Sequence, residues 1–486
     1  MTAPATSDAL ELIGVSHHFG AVRALDDVTL SARSGSVHAL LGENGAGKTT
    51  LMRVAYGLLE PIQGRIRLFG REIVGHSVRE AMRSGIGMVH QQLSLVATLT
   101  AAENIALGRR GLFRPARARA ELDALIQRSG LRVDADALAR YLTIVQQQRL
   151  EILKALARGA RVLILDEPTS GLAPAEIDDL LRWIREFADR GGTVILVTHK
   201  LREALAVADD VTVLRRGRVA HTERILRAGA DASTVEQLAR AIFPDAPAAA
   251  PRERDTVQPG PVVAAMHDVT VLDDRGASRL RSVSLKLRRG EVLGVAAVEG
   301  AGHRELLAVA AGLIRPARGR VELPARITLV PADRARDALI PDFTLVENVA
   351  LHGAGDRTGR MPWRALEEHT AALVDRFSVV AASPQVPVRT LSGGNQQRLV
   401  IARELAGDVD LVIADNPSRG LDLRATAFVH DQLREVASRG AGVLVHSSDL
   451  DELLHLATRI VVVFHGAVRD VPLDRDIVGQ AMLGGA

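Results

Sequence analysis

The sequence predicts an α/β protein of two tandem domains, each built around a mainly parallel sheet. The chain has 486 residues, which is too long for one ordinary hydrophobic core. Residues 165–172 and 414–421 repeat one another, and further motifs recur around them in the same order. Apolar runs of strand length, such as 162–165 and 194–197, alternate with longer helical patterns. Strands buried on both faces of a parallel sheet have this character.

The predicted domains span residues 8–243 and 262–486. Residues 244–261 between them are rich in alanine and proline, which predicts a stiff, extended linker. Within the first domain, residues 150–157 are predicted to form an amphipathic helix that leads into the strand at 162–165.

A glycine-rich loop, GENGAGKT at 42–49, lies between a predicted strand at 37–41 and a predicted helix at 50–54. This is a complete P-loop in the context that such a loop requires. Its glycines let backbone N–H groups curl around phosphate oxygens, and the helix N-terminus adds positive charge. Lys48 is predicted to reach the β- and γ-phosphates, and Thr49 to ligate Mg²⁺. The predicted nucleotide-binding residues here are Gly42, Glu43, Asn44, Gly45, Ala46, Gly47, Lys48, Thr49 and Thr50.

Two carboxylates end the apolar run at 162–165. Asp166 stands where a carboxylate that orders Mg²⁺ is expected, and Glu167 follows it directly. Because successive side chains at a strand end point in different directions, one can face the metal and the other an attacking water. Glu167 is therefore the predicted general base.

Two further polar residues follow predicted strands. His199 comes after 194–198 and can hold the γ-phosphate and the water in line. Gln91 comes after 87–90 and can sense Mg²⁺ and the neighbouring surface. Taken alone, each is read more simply as a structural histidine and a solvated glutamine, and only the motif series raises them to catalytic candidates.

The second copy differs from the first in complementary places. Its loop at 297–304 reads AVEGAGHR, without a lysine or a hydroxyl in the last two positions. Residues 391–395 read LSGGN, whereas the first copy has LTIVQ at 142–146. Ser392 is suited to cap a helix, and Gly393 and Gly394 permit a phosphate to approach its N-terminus.

Composition argues against several classes of protein. The chain has no cysteine, hence no disulfide framework or thiolate metal site, and no apolar run of membrane-spanning length. Its N-terminus lacks the pattern of a signal peptide, so we expect a cytoplasmic protein. The net charge is +3, but the arginines are scattered and aromatic residues make up 3%, so nucleic-acid binding is not expected.

The order of the P-loop, Gln91, DEPT at 166–169 and His199, together with LSGGNQQR at 391–398, resembles the ATP-binding-cassette (ABC) family. The resemblance covers nearly the whole chain. It implies two tandem P-loop NTPase cassettes, each with a mainly parallel core sheet, a β subdomain and a helical subdomain. It also implies ATP and Mg²⁺ as cofactors, and a head-to-tail pair in which the P-loop of one cassette meets the signature helix of the other.

One complete composite site is implied by this pairing. It would combine the P-loop, Gln91, Asp166, Glu167 and His199 with residues of the second copy. In the family pattern Phe19 matches the adenine-stacking aromatic residue and Asp422 the aspartate that crosses the interface. The implied contributions of the second copy are Ser392, Gly393, Gly394 and Asp422.

The other implied site lacks several parts. Each substitution falls on a family position: lysine, hydroxyl, glutamate, histidine, glutamine and signature glycine are replaced by His303, Arg304, Asn416, Ser448, Ala332 and Val145. No phenylalanine, tyrosine or tryptophan occurs between 262 and 342 to stack on adenine. Asp415, Gly300 and Gly302 are retained, which leaves weak nucleotide binding open. We expect one hydrolytic site per chain.

A tandem chain with a degenerate second cassette resembles the ATPase subunits of simple-sugar and nucleoside importers. Residues 88–92, 100–105 and 331–334 match that group, and 151–156 with 198–200 look nearer to its nucleoside branch. The implied partners are two transmembrane permease subunits, which residues 93–104 are expected to contact, and an extracytoplasmic substrate-binding protein. The chain would lie at the cytoplasmic face of the inner membrane. A second copy of the chain or a permease heterodimer in the complex is left open.

Three alternative functions differ from this prediction. An ATPase for ribose, galactose or xylose import differs only in cargo. Tandem cassettes that act on ribosomes as translation factors normally carry two intact P-loops and a long charged linker, which this chain lacks. A regulatory nucleotide switch would show no stimulation of its ATPase activity by a membrane partner.

Overall fold

The computed structural model describes residues 8–20, 22–43, 45–73, 77–91, 93–108, 112–170, 172–225, 232–242, 260–273, 276–421 and 423–484. Asn44, Asp422 and nearly all of the predicted linker lie outside these described residues. The chain divides into two compact units, Met1–Pro251 and Arg252–Ala486. The domain boundaries drawn from the sequence stay predictions. Among the described residues, no helix is both long and apolar enough to cross a membrane.

The first unit contains two sheets in its described part. A six-stranded core sheet has the order β10-β9-β3-β8-β7-β6, and β9 and β10 form its antiparallel pair. A four-stranded antiparallel sheet has the order β2-β1-β4-β5. The strands are β1 Asp8–Phe19, β2 Val22–Arg33, β3 Val37–Leu41, β4 Gln63–Leu68, β5 Arg71–Glu72, β6 Ile86–Val89, β7 Val162–Asp166, β8 Thr193–Val197, β9 Asp210–Arg215 and β10 Arg218–Arg224.

The helices of the first unit connect these strands, and one group of them packs together. Helices α3, α4 and α5 pack together and share a hydrophobic core cluster with one face of the core sheet. These helices form the predicted helical subdomain. The helices are α1 Lys48–Ala55, α2 Val78–Ser84, α3 Ala101–Ala106, α4 Pro115–Ser129, α5 Ile144–Ala157, α6 Pro174–Asp189, α7 Leu201–Val207 and α8 Ala232–Ile242.

The second unit repeats this design in its described part. Its six-stranded core sheet has the order β15-β16-β17-β13-β18-β19, with β18 and β19 antiparallel, and its smaller sheet has the order β12-β11-β14. The strands are β11 Val262–Leu272, β12 Ser278–Arg288, β13 Val292–Ala297, β14 Arg318–Glu322, β15 Ile327–Val330, β16 Leu411–Asp415, β17 Gly442–His446, β18 Arg459–Phe464 and β19 Ala467–Val471. The helices are α9 His303–Ala310, α10 Arg334–Asp337, α11 Leu345–Ala350, α12 Trp363–Arg376, α13 Gly393–Leu405, α14 Leu423–Ser438, α15 Leu450–Leu456 and α16 Arg475–Met482.

The central strands are apolar because both faces of each core sheet are covered. Every residue of β3, β7 and β8 is buried, as the continuous apolar runs predicted. The parallel order brings the carboxyl ends of β3, β7 and β8 to one edge, where the loops that follow them carry the polar candidates.

The helix predicted at 150–157 is present as part of α5, but the prediction that it is amphipathic is wrong. Residues 150–155 of α5 are all buried, including Glu151 and Lys154. These two charges do not face water, because Lys154 Nζ lies 2.8 Å from the Glu151 carboxylate. Their remaining hydrogen bonds join Ser94, whose N–H donates to Glu151 at 2.7 Å and whose carbonyl accepts from Lys154 at 3.0 Å. The pair thereby anchors the segment that follows Gln91.

Candidate nucleotide site

The P-loop follows β3 and turns tightly into α1. Gly42 has φ 149° and Gly47 has φ 105°, which other residues rarely adopt. A Cβ on Gly42 would lie 2.2 Å from the carbonyl oxygen of Leu214, and one on Gly47 would lie 2.6 Å from that of Ala24. The loop is pressed against β9 and β2, so both positions require glycine.

Lys48 points into this loop from the first residue of α1. It is 5% exposed, and its Nζ donates to the carbonyl oxygens of Gly42 at 2.7 Å and Glu43 at 3.0 Å. Burial lowers the pKa of the ammonium group, against the opposing effect of Glu167 and Asp166. The loop therefore holds the ammonium group on two carbonyl oxygens, which phosphate oxygens can replace as its hydrogen-bond partners.

Thr49 and Asp166 meet beside the loop. The Thr49 hydroxyl lies 3.5 Å from Asp166 Oδ1, at the carboxyl end of β7. Burial raises the pKa of Asp166, which the hydrogen bond from Thr49 and the charge of Lys48 oppose. A hydroxyl and a carboxylate are oxygen ligands of the kind that Mg²⁺ takes alongside nucleotide phosphates, so this pair fits the metal.

Glu167 is held on both of its carboxylate oxygens. Gln91 Nε2 donates to Oε2 at 2.8 Å, and His199 Nδ1 lies 3.0 Å from Oε1. Because a carboxylate can only accept, Nδ1 of His199 carries a proton here. Burial raises the pKa of Glu167, but the hydrogen bond and charge of His199, with Lys48 and Lys200, outweigh it and the pKa is lowered. The group is thus kept as an anion.

The backbone of Glu167 is left-handed, with φ 49°. Its N–H donates to the Val197 carbonyl at 2.9 Å, which continues the β7–β8 pairing by one residue. Conformations of this type are sparsely populated in non-glycine residues and are common at functional sites.

A buried carboxylate that the sequence analysis missed braces this cluster. Glu203 accepts hydrogen bonds from Thr169 at 2.7 Å and Thr198 at 3.3 Å, and lies 3.3 Å from the ammonium group of Lys200. It ties the turn after Glu167 to the turn that carries His199. Thr169 and Thr198 belong to the quoted motifs, but nothing in the local pattern indicated their shared partner.

Phe19 lies at the end of β1 with 50% of its surface exposed. Its ring contacts His17 edge-on, with 4.8 Å between centroids. The exposed ring face leaves room for a stacking partner, and the adenine role stays a prediction.

The second unit keeps the main-chain shape of the P-loop. Gly300 and Gly302 have φ 83° and 112°, and a Cβ on Gly302 would lie 2.5 Å from the Arg279 carbonyl oxygen. His303 occupies the lysine position, is 2% exposed, and packs against His446 with 4.2 Å between ring centroids and an interplanar angle of 32°.

His303 is electrically unlike Lys48. Its Nδ1 has no hydrogen-bond partner among the described residues. Burial lowers its pKa to about 3, assisted by repulsion from His446 and Arg304. Arg304 itself is paired with Glu299. The second loop therefore offers a neutral ring where the first offers a cation.

Strand register fixes the equivalent positions behind this loop. Asp166 pairs with Val197, and Asp415 pairs with His446. Ser448 therefore stands where His199 does, as predicted. The same comparison of β6 with β15 places Ala332 at the Gln91 position.

Asn416 takes the place of the predicted base. It has φ 44°, close to that of Glu167, and its N–H donates to the His446 carbonyl at 2.7 Å. Both ends of its side-chain amide are hydrogen-bonded to nearby residues: Nδ2 donates to Asp415 at 2.8 Å, and Oδ1 accepts from the Ser448 N–H at 2.7 Å.

The two signature helices begin differently. Ser392 caps α13, and its hydroxyl accepts from the Asn395 N–H at 3.4 Å and from the Asn395 side chain at 3.1 Å. Thr143 caps α5 in the same way. Ile144 and Val145, which replace the two glycines, pack against the core of the first unit.

These features match one known family. The model of the ABC transporter family matches residues 25–170 and 280–419, which include both phosphate loops and both signature regions. The chain belongs to the ABC transporter family. The predicted family and fold class, two tandem ABC cassettes, are thereby confirmed, as is the prediction of an ATP-binding ATPase chain of this family.

Several relatives match over nearly the whole chain. The chain is 37% identical to the nucleoside import ATP-binding protein NupA of Lactococcus lactis, over 99% of both chains. It is 36% identical to the guanosine import ATP-binding protein NupO of Bacillus subtilis, over 94% of this chain and 93% of the relative. It is also 36% identical to a ribose import ATP-binding protein of Streptomyces avermitilis, over 96% and 94%. The relatives are of the nucleoside and sugar importer type that the sequence predicted.

Among solved structures, an RNase-L inhibitor has a TM-score of 0.63 at 19% identity, over 94% of this chain and 90% of that chain. The archaeal ribosome recycling factor aABCE1 has a TM-score of 0.62, also at 19% identity. At this level of identity the likeness shows a shared fold alone.

Proposed function

We propose that the chain is the ATP-hydrolysing subunit of an importer that takes up a nucleoside or a simple sugar through separate permease subunits, with one hydrolytic site per chain. One observation carries the single-site proposal. Glu167 presents a carboxylate held between Gln91 and His199, whereas Asn416 has an amide bonded to Asp415 and Ser448. An amide cannot take a proton from water.

In the proposed site, Lys48 and the backbone N–H groups of the P-loop hold the phosphates. Thr49, Asp166 and Gln91 would hold Mg²⁺, which when bound neutralises phosphate charge. Glu167 accepts the proton of the attacking water, and His199 and Gln91 orient that carboxylate. Phe19 would stack on the adenine.

The signature helix of the second cassette would complete this site. The family pattern pairs an intact P-loop with an intact signature, and here these are on different cassettes. Ser392, Gly393 and Gly394 place small residues at the N-terminus of α13, where a γ-phosphate would bind. Asp422 belongs to the same proposal, although it lies outside the described residues.

The importer proposal rests on the relatives and on the segment after Gln91. Residues 93–104 are our candidate for contact with the permease. The buried Glu151–Lys154 pair fixes Ser94 in this segment, so movement of the segment would be passed to helix α5. The proposed complex contains two permease subunits and an extracytoplasmic substrate-binding protein, with this chain at the cytoplasmic face of the membrane.

The single-site proposal is tested by paired substitutions in the chain assembled with its permease. Glu167→Gln should lower the ATPase rate by roughly 10²–10⁴-fold, while a fluorescent ATP analogue still binds. Asn416→Ala, at the matching position, should leave the rate unchanged. Loss of activity in Asn416→Ala but not in Glu167→Gln would reverse the assignment.

The cargo is tested in proteoliposomes that contain the permease and the binding protein. Nucleosides or monosaccharides, added separately, should stimulate ATP hydrolysis by the complex, and the first two relatives make nucleosides the first choice. Absence of stimulation by any membrane partner would favour a regulatory switch. Co-purification with ribosomes instead of permease would favour the translation-factor class.

A further inference from the structure

The second cassette carries an insertion beside its signature helix. In both cassettes an asparagine anchors the segment that follows the strand β6 or β15, since Asn104 accepts from the Val96 N–H and Asn348 from the Ile340 N–H, each at 2.8 Å. Between the end of the strand and the residue that the asparagine holds (Val96 or Ile340), the first cassette has residues 90–95, but the second has residues 331–339. The longer segment contains the short helix α10.

This insertion has a fixed position. Asp333 caps α10 by accepting from the Arg336 N–H at 3.1 Å. At its other end, Arg403 of α13 donates to the Ala338 carbonyl at 2.8 Å. The first residue of α10, Arg334, is therefore presented to the signature helix from a capped helix that follows β15 and is bonded to α13 at its other end.

Arg334 touches both elements that the second cassette offers to the proposed ATP site. Its Nη1 donates to the Arg419 carbonyl at 3.2 Å, in the turn 416–421 after β16. Its Nη2 reaches the start of α13, where a Cβ on Gly393 would lie 2.6 Å away. Burial lowers the pKa of this guanidinium group, against the attraction of Asp333. Gly393 is thus the position at which α13 leaves space for the guanidinium group.

The first cassette lacks both partners of this contact. Ile144 stands at the Gly393 position and packs on the core. Its segment 90–95 reads HQQLSL and contains no arginine. The arginine and the glycine therefore occur together in the cassette whose signature is intact.

We propose that Arg334 is a positioning residue for ATP hydrolysis, which holds the N-terminus of the signature helix against the turn 416–421 so that the two act on the nucleotide as one body. The proposal rests on the function proposed above, in which the second cassette completes the site of the first. A guanidinium group suits this task because its planar fork can contact two backbone elements at once. This role explains why Arg334 and Gly393 occur in the same cassette.

The test measures kcat and KM for ATP in the complex with permease. Arg334→Ala should lower kcat roughly 10- to 100-fold, as expected when reacting groups are misplaced by about 1 Å, with little change in KM. Arg334→Lys should recover part of kcat. Gly393→Ala should also lower kcat, because its Cβ would displace the guanidinium group, and adding Arg334→Ala to it should lower kcat little further.

Arg336→Ala is the matched control, because Arg336 lies on the same helix, exposed and paired with Asp337. It should retain normal kcat. Normal kcat in Arg334→Ala, or a raised KM alone, overturns the positioning role while leaving the ATP-site assignment intact. Full activity of Glu167→Gln would instead overturn that assignment. If Arg334→Ala does not fold, Gly393→Ala with normal kcat overturns the inference on its own.

Discussion

Gln91 donates a 2.8 Å hydrogen bond to the carboxylate of Glu167, the predicted general base. The other carboxylate oxygen faces His199 at 3.0 Å. The base is therefore oriented from two neighbouring loops, each of which follows a different strand of the core sheet. Movement of Gln91 away from this position would break one of the two hydrogen bonds that hold the Glu167 carboxylate.

Gln91→Glu is predicted to shift the acidic limb of the pH–rate profile to higher pH. The substitution places a second carboxylate beside Glu167, and like charges at this distance raise the pKa of a carboxyl group. The measurement is kcat/KM for ATP against pH. Gln127→Glu makes the same charge change on an exposed face of α4 and should leave the limb in place. An unmoved limb in Gln91→Glu would show that Glu167 does not set it.

Lys154→Ala is predicted to destabilise the first cassette by about 3–5 kcal/mol, since it leaves the buried Glu151 carboxylate unpaired. Arg182→Ala should cost less than about 1 kcal/mol. Both pairs have i,i+3 spacing and N–O distances of 2.8 Å, but the side chains of Glu151 and Lys154 are 4% and 11% exposed, against 57% and 64% for Asp179 and Arg182.

The buried Trp183 reports unfolding of the first cassette in a Trp363→Phe background. Urea denaturation followed by its fluorescence gives both free energies of unfolding. Equal losses for the two variants would mean that burial does not decide the strength of these ion pairs.

The second cassette is predicted to lose stability as the pH falls below about 6.5. His303 is neutral in the fold, with a pKa of about 3, but in the unfolded chain it takes up a proton near its ordinary value of 6.5. The unfolded state then binds more protons, so stability falls with decreasing pH by at most about 1.4 kcal/mol per unit from this group. The loss accumulates between pH 6.5 and 3.

His303→Leu should flatten this pH dependence when unfolding is followed in Trp183→Phe protein by the fluorescence of Trp363. His369→Gln, at an exposed position of α12, should leave the slope as it is. A slope between pH 6.5 and 4.5 that survives in His303→Leu would show that a group other than His303 sets it.

Gly42→Ala is predicted to abolish ATP binding by the first cassette. Its Cβ would meet the Leu214 backbone carbonyl at 2.2 Å, and a carbonyl within β9 cannot move aside. Ala297, at the same position of the second cassette, ends β13 in a strand conformation. Ala297→Gly should therefore change ATP binding little. Titration with a fluorescent ATP analogue compares the two. Retained binding in Gly42→Ala would mean that the loop can take another path.

Local signals explain how far the sequence predicted the structure. The strands β3 and β7 and the helix α1 were predicted because continuous apolar runs and a glycine-rich loop are short-range patterns. The geometry around Glu167 followed from motif order along the chain, and the structure brings Gln91, Glu167 and His199 within hydrogen-bonding distance.

Long-range pairing explains what the sequence did not predict. In the sequence, Glu151 and Lys154 indicate the solvent-exposed face of a helix. Their burial could not be predicted, because their mutual contact and their bonds to Ser94 depend on tertiary packing. Glu203 could not be tied to Thr169, thirty-four positions away, from any periodic pattern. The loss of a lysine at 303 was visible, but the burial of the ring against His446 was not.

The shared left-handed backbone of Glu167 and Asn416 has a consequence for protein engineering. At this position the second cassette retains the left-handed main-chain conformation of the first and differs in the side chain that it displays. Restoring a carboxylate base in the second cassette would thus be a problem of side-chain replacement, because the backbone after β16 already has the required conformation.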